Sequence, residues 1–444
     1  MKLAEKIEYI LDESKEARKE EKLSMIELFM NWLFSQYEFR LNMLSMKPEF
    51  RAIGEEKFNE LDDQNYNTIS ILAEMNGFSK SMVEKLNRII MSNYVKQVNE
   101  IKEYFDKIKP LAKSALINIS NLYMPTVRDY FDCLELSNQL IDKDLIYNIF
   151  ARWVVASVNS ALGIKHNDVM LILSGSQGLY KTSWLNNLVP DTLGKEKYLV
   201  TGHIEPSLTN QNTANYLCEK FIINIDDQLE VIFGKEYNSM KAIISIDRVT
   251  SRRVYAKFDR TRKRIANFVG SVNSNEFLSD NQNRRYFVIE VSGINPDYIN
   301  VDMDRFWSEA YYVAQKINPY IVYTKDIYAA INTISTHYTQ SSVEQVLITR
   351  YFSPVATDRK QIELFMTNGE LAMELQRITT KPLSQMRIAN ELKRLGFKRI
   401  AKYEKDIKNS RYGYQLFTSD DYAMTILKDY KIEKEEHFFK YQKI

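Results

Sequence analysis

Apolar residues at Leu3, Ile7, Ile10 and Leu11 fall at helical spacing, and residues 1–35 read as helix. The segment Tyr37-Glu-Phe-Arg-Leu-Asn42 then alternates strictly, which predicts a strand, with Pro48 to Ile53 as its hairpin partner. Residues 64–109 return to the helical period, with a break at Gly77-Phe-Ser79, after which Ser79 or Ser81 caps the next helix. The stretch from Pro110 to Pro125 reads as a connection. Residues 126–165 are mostly helix, including Leu145 to Leu162.

The texture then changes. Asp168-Val-Met-Leu-Ile-Leu-Ser174 is a short apolar run bounded by polar residues, the profile of a parallel strand buried on both faces. Similar runs are Phe221 to Ile225, Ile265 to Val272 and Tyr286 to Val291. Strands alternating with helical stretches predict an α/β fold with a parallel sheet. Residues 303–340 are again helical. Beyond them come helices at 342–351, 361–366, 369–377 and 384–395, then the alternating Tyr412-Gly-Tyr-Gln-Leu-Phe417, in the outline of a winged helix. The predicted domains are a mostly helical 1–110 with a small hairpin, a helical lead-in at 111–165, an α/β core at 166–340 and a winged-helix-like 341–444. The pattern shows no internal repeat.

Two to four domains suit 444 residues, because single cores stop growing at about 250–300. An apolar fraction of 45% and a charged fraction of 27% suit a soluble globular chain, and no run nears the roughly 18 apolar residues of a membrane span. Cys133 and Cys218 are too few for a disulfide framework, and the four histidines form no zinc-spaced cluster. A cytoplasmic setting is expected.

Gly175-Ser176-Gln177-Gly178-Leu179-Tyr180-Lys181-Thr182 follows the first apolar strand and precedes an apolar-periodic helix. This is the setting in which backbone N–H groups curl around phosphates, a lysine neutralises the outer ones, and a hydroxyl meets magnesium. The expected ligands are ATP and Mg2+, with residues 175–182 as the phosphate-binding loop and Thr182 on the metal. Tyr180 stands where the pattern has glycine. The plainer alternative is a glycine-containing αβ turn.

A second carboxylate is needed about one strand away. Phe221-Ile-Ile-Asn-Ile-Asp226-Asp227 supplies two, with Asp226 assigned to the magnesium shell and Asp227 to the attacking water; the alternative is a solvated strand end. Asn273, at the tip of the third strand, is the candidate to touch the water or γ-phosphate, against a turn-forming role. Arg284 and Arg285 precede the fourth strand. Either is a candidate arginine finger for a neighbouring subunit, against an exposed basic pair.

Net charge is only +2, but its distribution is uneven. Residues 248–264 hold eight basic residues and one acid, Asp259, with Tyr255 and Phe258 interleaved. Such a ribbon suits a nucleic-acid backbone with bases stacking nearby. The candidate DNA contacts are Arg252, Arg253, Tyr255, Lys257, Arg260, Arg262, Lys263 and Arg264; the alternative is a solvated basic loop. Residues 381–411 hold ten basic residues and three acids, which suits duplex contact or a charged helix face.

Taken together, these motifs resemble the virulence-associated E family of P-loop proteins, which are similar to superfamily 3 helicases of phages and mobile elements. The resemblance spans about residues 60–295. It rests on Asn65-Tyr-Asn-Thr-Ile, Tyr104-Phe-Asp, Phe150-Ala-Arg-Trp153-Val-Val-Ala, Gly175-Ser-Gln-Gly178, Asn273-Ser-Asn-Glu-Phe277-Leu and Asn283-Arg-Arg285-Tyr-Phe. It implies an AAA-like, ring-forming ATPase core, a hexamer being favoured. It also implies a basic hairpin facing a central channel for single-stranded DNA, and an Arg284 or Arg285 acting across subunits. The expected activity is that of an ATP-dependent DNA helicase or replication initiator. The alternatives are a DNA-binding switch or a defence-associated ATPase without strand displacement. Primase residues are not apparent, so any primase is expected on a separate chain.

Overall fold

The first sheet follows from the alternation at residues 37–42. In the computed structural model, Tyr37–Asn42 (β1) pairs antiparallel with Pro48–Ala52 (β2), and β2 pairs with Asn59–Glu60 (β3). On its other edge β1 pairs in parallel with Lys96–Val98 (β4). The structure describes residues 24–114, 116–137, 142–226, 229–251, 259–274, 276–278, 283–339, 342–356, 362–404 and 409–418. Leu3, Ile7, Ile10 and Leu11 lie outside them. The helix before β1 is Met25–Gln36; its N-terminus is closed by Glu27, whose carboxylate accepts the Ser24 backbone N–H at 2.8 Å. The helical stretch at 64–109 resolves into Asp63–Met75, Lys80–Val83, Leu86–Ile90 and Glu100–Ile108. Gly77, at φ +85°, makes the break, and Ser79 is the N-cap residue of the next helix. β4 escapes the pattern because only one of its three residues is apolar.

A polar cluster ties this sheet to Lys197 and Tyr198. The Arg40 side chain bonds Glu49 at 2.6 Å and also meets Glu100. Lys197 bridges the same two carboxylates, and Tyr198 donates to Glu100.

The core sheet has six strands: Leu134–Leu136 (β5), Met170–Ser174 (β6), Leu199–Thr201 (β7), Ile222–Ile225 (β8), Asn267–Val272 (β11) and Tyr286–Ile294 (β12). Between β8 and β11 the chain makes a separate antiparallel hairpin from Arg248–Ser251 (β9) and Arg260–Lys263 (β10). The core order is β5-β12-β6-β11-β8-β7, parallel except for β5 against β12. β6, β8 and β11 are buried at every position, which is why they read as mainly apolar runs without a polar-out alternation. β5 and β7 sit at the edges and are three residues each, too short for a periodic signal.

An aromatic layer backs the helix Lys181–Asn187. Trp153, Trp184 and Trp307 are fully buried, and the Tyr130 ring stacks on Trp184 at 4.6 Å. Trp153 and Trp307 donate their indole N–H to the Val169 and Leu188 carbonyls at 3.0 and 2.8 Å. Phe150 and Tyr104, read in the sequence as marks of resemblance, are likewise core residues.

The chain divides into two units, residues 1–338 and 339–444. The second holds helices Val343–Tyr351, Asn368–Gln376 and Gln385–Arg394 and a sheet of Ile362–Met366 (β13), Arg399–Glu404 (β14) and Asn409–Thr418 (β15), in the order β13-β15-β14. This helix, strand, helix, helix, hairpin sequence is that of a winged helix. The segment expected as helix at 361–366 is instead β13. Its short Ile-Glu-Leu-Phe-Met run fits either period, and pairing with β15 decides it. No helix among the described residues is long and apolar enough to cross a membrane.

Candidate functional site

Three parallel strands end side by side at the same edge of the core sheet. β6 runs into Gly175, β8 into Asp226 and β11 into Asn273, so these strand tips converge where open α/β sheets bind ligands. The loop 175–180 then turns into the helix Lys181–Asn187. Gly175 adopts φ +154°, and a Cβ there would stand 2.4 Å from the Val291 carbonyl oxygen, so no other residue fits. Tyr180, in the place of the usual glycine, still takes the left-handed conformation glycine would supply, at φ 59° and ψ 25°. Its ring is exposed.

Lys181 is buried, and its ammonium donates to the Gly175 and Ser176 carbonyls at 2.7 Å each and to Asn273 Oδ1 at 3.0 Å. Thr182 Oγ1 donates to Asp226 Oδ1 at 2.7 Å. The same carboxylate oxygen accepts from Ser271 Oγ at 2.7 Å, a β11 residue that sequence reading missed; it lies two positions before Asn273, which follows the strand. The structure thus brings together the loop, Lys181, Thr182, Asp226 and Asn273. Asp227 lies outside the described residues.

The Thr182 and Asp226 oxygens also fit magnesium. Both are hard donors, and adjacent oxygens of an octahedral magnesium at 2.0–2.1 Å stand about 2.9 Å apart.

Arg284 and Arg285 are placed elsewhere. They precede β12, whose Tyr286 pairs with Met170 at the start of β6, so they sit at the opposite end of the strands from the loop. A five-residue strand separates the two levels by about 15 Å. Arg285 is tethered, donating from Nε to Ser245 Oγ at 2.7 Å. Arg284 is exposed, with its guanidinium 5.4 Å from the Tyr328 ring centroid.

The basic ribbon is β9, β10 and the segment between them. Arg252, Arg253, Tyr255 and Lys257 lie outside the described residues. Among the others the structure separates two kinds. Arg264 is fully buried, and its guanidinium donates to the carbonyls of Ile246, Ala266, Asn167 and Ile244 at 2.7–3.0 Å. Burial lowers its pKa to about 10. Arg264 is therefore a structural pin and not a DNA contact. Arg262 is also withdrawn, bonded to Asn215 Oδ1 at 2.8 Å and the Leu44 carbonyl at 3.0 Å. Arg260 and Lys263 remain exposed, although Lys263 reaches the Gly163 carbonyl at 2.6 Å. Charge counting cannot make this distinction; the apolar Ile265-Ala266 next to Arg264 was the signal that the ribbon was entering the core.

Among solved structures, the chain is similar to the C-terminal region of NrS-1, at 14% identity over 90% of this chain and 100% of that one, with a TM-score of 0.45. It is also similar to the SCCmec type IV Cch active helicase, at 10% identity over 87% and 93% of the two chains, with a TM-score of 0.38. No curated protein matches the chain. The family described as the virulence-associated protein E-like domain matches residues 121–340. That span holds the loop 175–182, Asp226, Asn273 and the Arg284–Arg285 pair, and it places this part of the chain in the virulence-associated protein E-like domain family.

Proposed function

We propose that the chain is an ATP-driven DNA motor of the helicase or replication-initiator type, working as a homo-oligomeric ring, with a hexamer as the favoured size. The observation that carries the ATPase reading is the pair of contacts Lys181–Asn273 and Thr182–Asp226, which unite three strand tips around the phosphate loop.

In this reading Lys181 leaves the Gly175 and Ser176 carbonyls and pairs with the outer phosphates, while the loop N–H groups hold the inner ones. Thr182 and Asp226 hold magnesium, and Ser271 fixes the Asp226 rotamer. Magnesium at that place supplies charge neutralisation between phosphates. Asp227 polarises the attacking water, and Asn273 contacts the γ-phosphate. Arg284 is the better finger for a neighbouring subunit, because it is exposed and Arg285 is bound to Ser245. Single-stranded DNA meets the β9–β10 hairpin.

Duplex DNA suits the second unit. Helix Gln385–Arg394 buries Ile388 and Leu392, and its outward face carries Arg387, Asn390, Lys393 and Arg394. By strand register, Arg399, Tyr403 and Tyr412 project from the sheet face that also holds the buried Tyr414 and Leu416. Arg387, Lys393, Arg394, Arg399, Tyr403 and Tyr412 are exposed cations and aromatics, the side chains that groove and backbone contact uses.

The test measures ATP hydrolysis and strand displacement in wild type and Lys181→Ala. Hydrolysis with displacement, both lost in the variant, is expected. Equal turnover in the two proteins rejects the phosphate-loop assignment. Hydrolysis without displacement at any DNA substrate leaves the DNA-binding switch as the reading.

A further inference from the structure

A further carboxylate reaches the proposed ATP site. Glu230 stands in the first turn of the helix Leu229–Lys235, just beyond Asp226. Its Oε1 accepts the backbone N–H of Asn273 at 3.2 Å and that of Ser274 at 3.0 Å. The Asn273 side chain in turn accepts from Lys181. One side chain thus joins the helix after β8 to the tip of β11, and that tip touches the loop lysine. The helix is firmly seated. Leu229 is fully buried beside Gly270 of β11, where an added Cβ would come within 2.3 Å of the leucine Cδ1. The helix that carries Glu230 is thus seated through Leu229, whereas Glu230 and Asn273 themselves are exposed.

We infer that Glu230 is a positioning residue for ATP hydrolysis, holding the Asn273 backbone so that its side-chain amide meets the γ-phosphate and attacking water. The inference rests on the ATPase reading above. Two backbone N–H groups on one carboxylate are charge-assisted bonds, stronger than their neutral counterparts. When Lys181 turns to the phosphates, Asn273 loses its side-chain partner. With its backbone pinned it needs only a rotamer change to take a new one. Without the pin the whole tip shifts, and a displacement of about 1 Å at a reacting centre costs up to about 100-fold in rate. Positioning the tip needs an acceptor oxygen, and the charge only adds strength to its bonds. Glutamine keeps that oxygen, and alanine removes it.

The experiment uses the full chain as wild type, Glu230→Gln, Glu230→Ala and Lys181→Ala. It reads ATP turnover, affinity for a fluorescent ATP analogue, and hydrogen exchange at the Asn273 and Ser274 amides. Glu230→Ala should lower kcat about 10- to 100-fold with affinity held within about threefold, and should deprotect both amides. Glu230→Gln should stay within about threefold of wild type with protection kept. Wild-type turnover in Glu230→Ala overturns the assignment. So does a glutamine variant as slow as alanine, which would make the charge itself the active feature. Lys181→Ala separates the two levels: if it hydrolyses like wild type, the ATPase reading fails; if it is inactive while Glu230→Ala is not, only Glu230 was misassigned.

Discussion

Thr182 Oγ1 and Asp226 Oδ1 lie 2.7 Å apart although the residues are 44 positions apart in the chain. Thr182 is the second residue of the helix after β6, and Asp226 directly follows β8, with β11 running between those two strands. Ser271, on that intervening strand, donates to the same oxygen. If this trio organises magnesium, Thr182→Val and Asp226→Asn should each raise the magnesium concentration needed for half-maximal nucleotide binding by about tenfold or more, about 1.4 kcal/mol. Ser271→Ala, which removes only a support, should do so by less. Titration of magnesium against a fluorescent nucleotide reads this directly. An unchanged magnesium requirement in Asp226→Asn would place the metal elsewhere.

Tyr180 carries a measurable backbone cost. A side chain at φ 59° is unfavourable by about 1–2 kcal/mol, and this ring recovers little of it because it is 70% exposed. Tyr180→Gly should therefore be more stable by about 0.5–1 kcal/mol after the extra freedom of glycine in the unfolded chain is deducted. Tyr180→Ala keeps the strained φ and should show no gain. Thermal melts of the two variants check this. A gain in alanine as large as that in glycine would trace the strain to the ring instead of the backbone.

The parts of the site legible in the sequence were those where chemistry and local order coincide. Gly175 to Thr182 follows its own strand and begins its own helix, so the contiguous residues carried the signal. Asp226 and Asn273 were legible because each ends an apolar run. Ser271 and Glu230 were not, for opposite reasons. Ser271 is one polar residue inside a buried strand, and Glu230 is one acid on a short helix; only the strand order brings each to its partner. Arg264 misled for a related reason, since one-dimensional charge counting treats a buried guanidinium and an exposed one alike. In the second unit, residues 361–366 were too few to distinguish helical from strand period before β15 was paired to them.

Glu100 gives a prediction with a sign in pH. Burial pushes its carboxyl upward, but hydrogen bonds from Lys197 and Tyr198 and the charges of Lys197 and Arg40 outweigh that and hold it below the ordinary 4.5. A carboxyl lowered on folding contributes stability above its unfolded pKa, and that contribution fades as pH falls through the folded value. Glu100→Gln should therefore cost about 1–3 kcal/mol at pH 7. The gap from wild type should narrow as pH falls below about 4.5. Thermal melts of both proteins from pH 7 to pH 2 measure the gap. A gap as wide at pH 2 as at pH 7 would mean that the ionised carboxylate is not what the cluster needs.

The basic ribbon should divide experimentally where Arg264 divides it structurally. Arg264 donates to four carbonyls inside the protein, so Arg264→Ala leaves buried acceptors without donors and should destabilise the chain by about 3 kcal/mol or more. Its effect on DNA should appear only as far as it unfolds the protein. Arg252, Arg253 and Lys257 fall between β9 and β10 in the sequence and lie outside the described residues. Changing all three to glutamine should leave the melting temperature and basal hydrolysis near wild type and weaken single-stranded DNA binding. Each phosphate contact removed lowers the salt slope by about 0.7, so three contacts should lower it by about 2. Binding isotherms at several salt concentrations, run beside melts of both variants, supply the two axes. A triple variant with the wild-type salt slope would remove the hairpin from the DNA path. The exposed cations Arg387, Lys393 and Arg394 of helix Gln385–Arg394 would then be the next residues to neutralise.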